Sequence, residues 1–294
     1  MVEGIQSNDR ITPVERGFFA DKVCIIESVT SNDIACGSIL YNNLKSDINT
    51  RECELYTPSS GQDLFDSLNR ILKDIKLTGK YPILHFCMHG DTIGLEINNG
   101  DEVEWLQLKK ILIDINVACH NNLLITLAVC EGAYLLNIIH PKDRSPFWGM
   151  IGNVEGVHQG QSPIAFTKFY KELLLSKQLA SAFDILNLYH KEGINIKLNT
   201  FSLVNSEMTF KKVYRKYKKN HLSSQALEHR AKKIMLKSKV GRHFSGMTRR
   251  QSIEKIQLDI FEKSQQEFIE MWEHFFMVDL YTENKDRFPM RYIL

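Results

Sequence analysis

Two stretches decide how this chain folds: Ile83-Leu84-His85-Phe86-Cys87-Met88-His89-Gly90-Asp91 and Leu124-Ile125-Thr126-Leu127-Ala128-Val129-Cys130-Glu131-Gly132. Each is a short apolar run closing on a glycine turn, the pattern of a strand covered on both faces. Working outward, Val23–Val29 and Glu52–Tyr56 read as further strands, and Trp148–Val154 and Phe201–Val204 as later ones. Between them lie helical spacings at Ile34–Leu44, Asp63–Ile75 and Leu106–Ala118, and one long helix at Ser162–Leu188. Leu95–Ile97 and Val103–Trp105, joined through Asn98-Asn99-Gly100-Asp101, predict a small hairpin. Strands alternating with helices of this length predict an α/β fold, a mostly parallel sheet with helices on both faces.

The character changes near residue 206, so the reading is two domains, 1–205 and 206–294. Residues 211–250 carry 14 Lys/Arg against Glu228 alone, and residues 251–294 carry 9 acids against 5 bases. Net charge over the whole chain is only +2. Ile253, Ile256, Ile260, Phe268, Trp272 and Phe275 recur at helical spacing. They predict a helical extension whose aromatic stripe packs on the α/β body or serves a partner or self-association, which leaves a homo-oligomer open. The basic stretch reads as a solvated face first, with nucleic acid or an anionic activator as sharper alternatives. No nucleic-acid-binding motif and no phosphate-binding glycine loop accompanies it. No apolar run is long enough for a membrane span, and no apolar core follows a basic start, so the expectation is a cytoplasmic protein. The six cysteines form no CxxC pair and read as reduced thiols.

Functional groups of open parallel sheets collect at the carboxyl ends of strands. Two such ends carry chemistry, His89-Gly90-Asp91 and Cys130-Glu131-Gly132. A thiol is mostly protonated at neutral pH, so an imidazole beside it assists attack and then protonates a leaving amine. The N–H groups of Gly90 and Cys130 are natural donors to the oxyanion that forms. The plainer reading of the same residues is a strand-end histidine bonded to a carbonyl and a buried thiol. His85, Cys87 and His89 share one strand face, but neighbours on one extended strand converge poorly on a metal. Core packing of His85 and Cys87 is the expectation, and no metal or cofactor is called for.

In order, the chain holds an apolar strand ending His89-Gly90, the hairpin IGLEINNGDEVEW, a helix opening LQL, a strand ending AVCEG, and the segment GMIGNVEGVHQGQSPIAFTKFYKELL. This ordered set, over roughly residues 20–205, resembles the caspase-like cysteine peptidases, most closely their bacterial CHAT-type relatives. The resemblance implies a cysteine endopeptidase acting on a protein substrate, with His89 as general acid/base, Cys130 as nucleophile, and Gly90 and Cys130 forming the oxyanion hole. No third catalytic residue is implied. Ala128, two before the nucleophile, would line the pocket for the side chain preceding the cleaved bond. It differs from the Gln or Asp of relatives, which removes the basis for Asp or Arg specificity. Asp91 and Glu155 are then candidate pocket acids. Similar bacterial proteins act as effectors, including in antiviral defence, switched on by an activating protein or an anionic small-molecule signal. Two rivals stand beside this reading. One is a non-catalytic caspase-like protein whose basic tail binds nucleic acid or an acidic partner. The other is an amidase of small molecules, which lacks support because Ala128 occupies the first glycine position of a nucleophile elbow.

Overall fold

A computed structural model of the chain describes residues 18–47, 53–191, 201–237 and 246–290. Glu52 and residues 238–245 of the basic stretch lie outside the described residues. The chain divides into two compact units, Met1–Ile138 with Pro146–Asn205, and Ile139–Ser145 with Ser206–Leu294. The expected boundary at 205/206 is where the units divide, and the short segment Ile139–Ser145 joins the second unit.

The first unit is built on β1 (Lys22–Ser28), β2 (Cys53–Tyr56), β3 (Pro82–Gly90), β4 (Gly94–Glu96), β5 (Glu102–Glu104), β6 (Leu124–Ala128), β7 (Gly149–Gly152) and β8 (Ser202–Asn205). The main sheet runs in the order β2-β1-β3-β6-β7-β8, and β4 and β5 form the hairpin beside β3. All neighbours from β2 to β7 are parallel, while β8 closes the edge antiparallel to β7. Burial explains the apolar runs: all seven residues of β1, the first seven of β3 and all five of β6 are buried.

Helices α1 (Cys36–Asp47), α2 (Gly61–Thr78), α3 (Trp105–Ala118), α4 (Ser162–Ser176) and α5 (Leu179–Lys191) complete the first unit. Helix α2 shows why the sequence stops and starts where it does. Ser60 accepts the N–H of Asp63 at its N-terminus, and Gly79 ends it at φ 67°. Its inward face is Leu64, Leu68, Ile71 and Ile75, the spacing visible in the sequence. The single helix expected over Ser162–Leu188 is instead two. Lys177 takes a left-handed φ of 58° and its N–H closes on the Leu173 carbonyl, which ends α4 without a glycine or proline.

The second unit holds α6 (Ser206–His221), α7 (Ser224–Lys237), α8 (Arg249–Phe275) and the short α9 (Asn284–Arg287). Its core is the aromatic stripe. Phe210 is fully buried, with ring centroids 4.9 Å from Phe275 and 5.3 Å from Phe276. Arg144 makes a two-pronged ion pair with Asp279, each N–O distance 2.7 Å, and thereby fastens the Ile139–Ser145 segment within this unit. Among the described residues no helix is long and apolar enough to cross a membrane.

Candidate active site

Strands β1, β3, β6 and β7 are consecutive parallel neighbours, so their carboxyl ends share one edge of the sheet. Every element of the candidate site leaves from that edge. Asp33 lies in the loop after β1, His89 and Gly90 end β3, Cys130 lies two residues past β6, and residues 153–157 follow β7.

Register puts His89 and Cys130 at corresponding positions past neighbouring strands. Cys87 pairs with Ala128 across β3 and β6, and His89 and Cys130 each stand two residues beyond that pair. Neighbouring strands are about 4.8 Å apart, so the two residues emerge side by side. The backbones meet more closely still at Gly90. A Cβ there would lie 2.5 Å from Val129 Cγ1, 2.9 Å from the Gly94 carbonyl oxygen and 3.4 Å from the Cys130 carbonyl oxygen. Only a residue without a side chain fits this approach, which sets the two expected oxyanion donors on adjoining stretches of backbone.

Cys130 is half-buried, whereas the other five cysteines are buried. The turn that carries it is tight: Glu131 has φ 56°, and the Gly132 N–H donates to the Val129 carbonyl at 3.3 Å. A Cβ on Gly132 would come within 2.9 Å of Leu127 Cβ, so this turn too requires glycine. The loop after β7 is stitched to it. The N–H of Glu131 donates to the Glu155 carbonyl at 2.8 Å, and that of Ala133 to the Asn153 carbonyl at 2.9 Å. The Val157 N–H then points at Cys130 Sγ from 3.4 Å, which fixes where the sulfur sits.

The His89 side chain is 39% exposed, and its Nε2 is 3.1 Å from Asp33 Oδ2. Hydrogen bonds from Thr30 and then from His89 hold the Asp33 carboxyl down at about 2, so it is an anion at any physiological pH. Thr30 supplies both its N–H at 3.0 Å and its hydroxyl at 2.6 Å. The loop bearing Asp33 is anchored by Glu27, a buried carboxylate in β1. Glu27 Oε1 accepts the N–H groups of Gly37 at 2.6 Å and Ser38 at 3.1 Å, and Oε2 accepts the Ser38 hydroxyl. An acid there complements the unpaired N–H groups of the first turn of α1. Asp33 was not among the expected site residues. Its sequence signal is slight, a Thr30-Ser31-Asn32-Asp33 run at the carboxyl end of a strand.

The three expected pocket residues fare differently. Ala128 is buried at the end of β6. Asp91 Oδ1 accepts the N–H groups of Ile93 at 2.6 Å and Gly94 at 3.0 Å, so that oxygen shapes the loop into β4. Glu155 is exposed, and its backbone is what bridges Glu131 and Asn153.

Below the site His85 is buried, and burial pushes its pKa down to about 3. Its Nδ1 lies 2.7 Å from Thr126 Oγ1 and 3.0 Å from Tyr170 Oη, and its Nε2 lies 3.1 Å from Cys87 Sγ. His85 and Cys87 are therefore occupied by the core. Neither a scan of protein-family models nor a search of curated proteins finds a match to this chain.

Proposed function

We propose that this chain is a cysteine endopeptidase in which Cys130 is the nucleophile and His89 the general acid/base. The observation that supports the reading is the register of β3 and β6, whose last pair is Cys87 with Ala128, so that His89 and Cys130 each follow two residues later at the carboxyl edge of a parallel sheet. With Nε2–H directed at Asp33, Nδ1 bears the lone pair that takes the thiol proton. The sulfur bonds to the scissile carbonyl carbon, and the carbonyl electrons move onto an oxygen held by the N–H groups of Gly90 and Cys130. Collapse breaks the C–N bond, and His89 returns the proton to the leaving amine. Water then hydrolyses the thioester, its proton passing through His89 to restore the thiol. Asp33 acts as a positioning residue that holds the ring.

Within this reading Ala128 lines the pocket for the residue preceding the cleaved bond. Glu155 is the better placed of the two acids to favour a basic side chain there, because one Asp91 oxygen is committed to its own loop. A regulated bacterial effector, as in defence against phage, is the setting suggested by the resemblance to CHAT-type peptidases. Activation by a partner protein or an anionic signal belongs to the same suggestion.

The test is cleavage of a peptide library by wild type, Cys130→Ala and His89→Ala, each with and without cell extract. Cleavage by wild type that is lost in both variants supports the reading. Cleavage that persists in Cys130→Ala overturns it. A wild type silent in every condition, with no labelling of Cys130 by a thiol probe, favours the non-catalytic binding protein instead.

A further inference from the structure

Helix α6 carries six cations within nine residues: Lys211, Lys212, Arg215, Lys216, Lys218 and Lys219. At 100° per residue they fall within an arc of about 160° on one side of the helix. Phe210, Tyr214 and Tyr217 occupy the opposite side, where Phe210 and Tyr217 are buried among the aromatic rings of the second unit. Lys212, Arg215, Lys216, Lys218 and Lys219 are exposed.

The contrast with the rest of the chain is the informative point. Several exposed cations on other helices pair with an acid one turn away: Lys110 with Asp114, Lys232 with Glu228, Arg250 with Glu254 and Lys255 with Asp259. On α6 Lys211 has Glu207 one turn before it, and the other charged residues one turn apart are alike, Lys211 with Arg215, Lys212 with Lys216 and Arg215 with Lys219. Such pairs repel and weaken a helix. Among the described residues none of the six makes an ion pair, and the sequence holds no acid between Glu207 and Glu228. The aromatic side fixes the helix, and the uncompensated side faces outward.

We propose that this face binds the phosphate backbone of nucleic acid without reading its sequence. From Lys211 to Lys219 the helix rises about 12 Å. A duplex carries about seven phosphate charges over that length. A membrane fits less well, because an amphipathic helix that lies in a bilayer needs its apolar side free, and here that side is spent on the core. An acidic protein segment is the alternative that the polyglutamate arm of the test separates. The proposal stands apart from the peptidase reading, and its test does not use proteolysis.

The experiment is fluorescence anisotropy of the full chain with a labelled mixed-sequence DNA duplex of about 20 base pairs, repeated across a salt series. Five phosphate contacts would give a slope of log affinity against log salt of about −4 to −5, and a loss of about 500-fold between 50 and 200 mM salt. Lys212→Glu/Lys216→Glu/Lys219→Glu should weaken binding by at least about 30-fold at 0.1 M salt. Lys212→Gln/Lys216→Gln/Lys219→Gln, checked for helix content by circular dichroism, should show a smaller loss in the same direction. Binding that survives both triple variants overturns the proposal. So does a salt slope shallower than about −1, or capture of anionic vesicles or polyglutamate in place of the duplex.

Discussion

His89 Nε2 and Asp33 Oδ2 meet at 3.1 Å, joining the end of β3 to the loop after β1. The pair lies on the side of β3 away from the strand that delivers Cys130, since β3 is flanked by β1 and β6. The imidazole is thus braced by the loop that follows one neighbouring strand, while Cys130 stands past the end of the other. A carboxylate in this place fixes both the ring plane and the nitrogen that keeps its proton.

If Asp33 positions His89, Asp33→Ala should lower kcat by about 100-fold and leave KM within about 3-fold, because the contact does not touch substrate. Asp33→Asn, which retains an acceptor, should recover part of that loss. Steady-state kinetics on the best library peptide measures both. The carboxyl pKa is lowered from 3.8 to about 2, so the contact is complete above about pH 4 and lost as pH falls towards 2. A carboxyl-carbon NMR titration of Asp33 with its midpoint near 4 would contradict the hydrogen-bonded geometry.

Thiol labelling should be selective. Burial pushes the thiols of Cys24, Cys87 and Cys119 well up and that of Cys53 up to about 12; a hydrogen bond with Cys87 lowers the Cys36 thiol, which is buried, and Cys130 is the half-buried cysteine. Brief treatment with iodoacetamide in native buffer is expected to modify Cys130 first, read by peptide mass spectrometry. Modification of Cys24 or Cys119 ahead of Cys130 would show that the native packing differs.

Gly90→Ala places a methyl group 2.5 Å from Val129 Cγ1 and 2.9 Å from a backbone oxygen. The backbone cannot yield as a flexible side chain would, so destabilisation of about 1–3 kcal/mol is expected. If the N–H groups of Gly90 and Cys130 bind the oxyanion, the variant should also lose activity at temperatures where it remains folded, because the shift separates the two groups. Thermal unfolding and peptide cleavage on the same sample distinguish the two effects.

His85 makes the fold sensitive to acid. Its pKa is about 3 when folded and near 6.5 when the chain unfolds, so the unfolded state binds the extra proton between those values. Stability should therefore fall as pH drops from 6.5 towards 3, by up to about 1.4 kcal/mol per pH unit from this group. Urea midpoints at pH 7, 5.5 and 4.5 should show the slope, and His85→Leu should flatten it. An unchanged slope in that variant would assign the acid sensitivity to other groups.

The strands that matter most were legible because burial on both faces removes alternation, leaving β3 and β6 as unbroken apolar runs with a glycine at the exit. The same pattern marks His89, Gly90 and Cys130 as lying at or just past strand ends. The break between α4 and α5 was not legible. Lys177 adopts a left-handed conformation that sequence rules reserve for glycine or asparagine, and the Gln178 N–H donates to Ser176 Oγ at 3.1 Å to support it. Asp33 was hidden for another reason. Its partner lies 56 positions away, and only the strand order β1-β3 brings them together. A polar loop residue gives no periodic signal, so tertiary placement alone reveals it.

The stitching of residues 153–157 to the turn at Glu131 has a consequence for how this molecule can be re-engineered. The sulfur's position is set by a span of chain more than twenty residues downstream, through backbone carbonyl and N–H groups that every residue but proline carries. Point substitutions at the exposed Val154 and Glu155 leave that scaffold intact, whereas one inserted residue would carry the Val157 N–H away from the sulfur. Loop length, rather than loop composition, is the dial by which Cys130 could be repositioned.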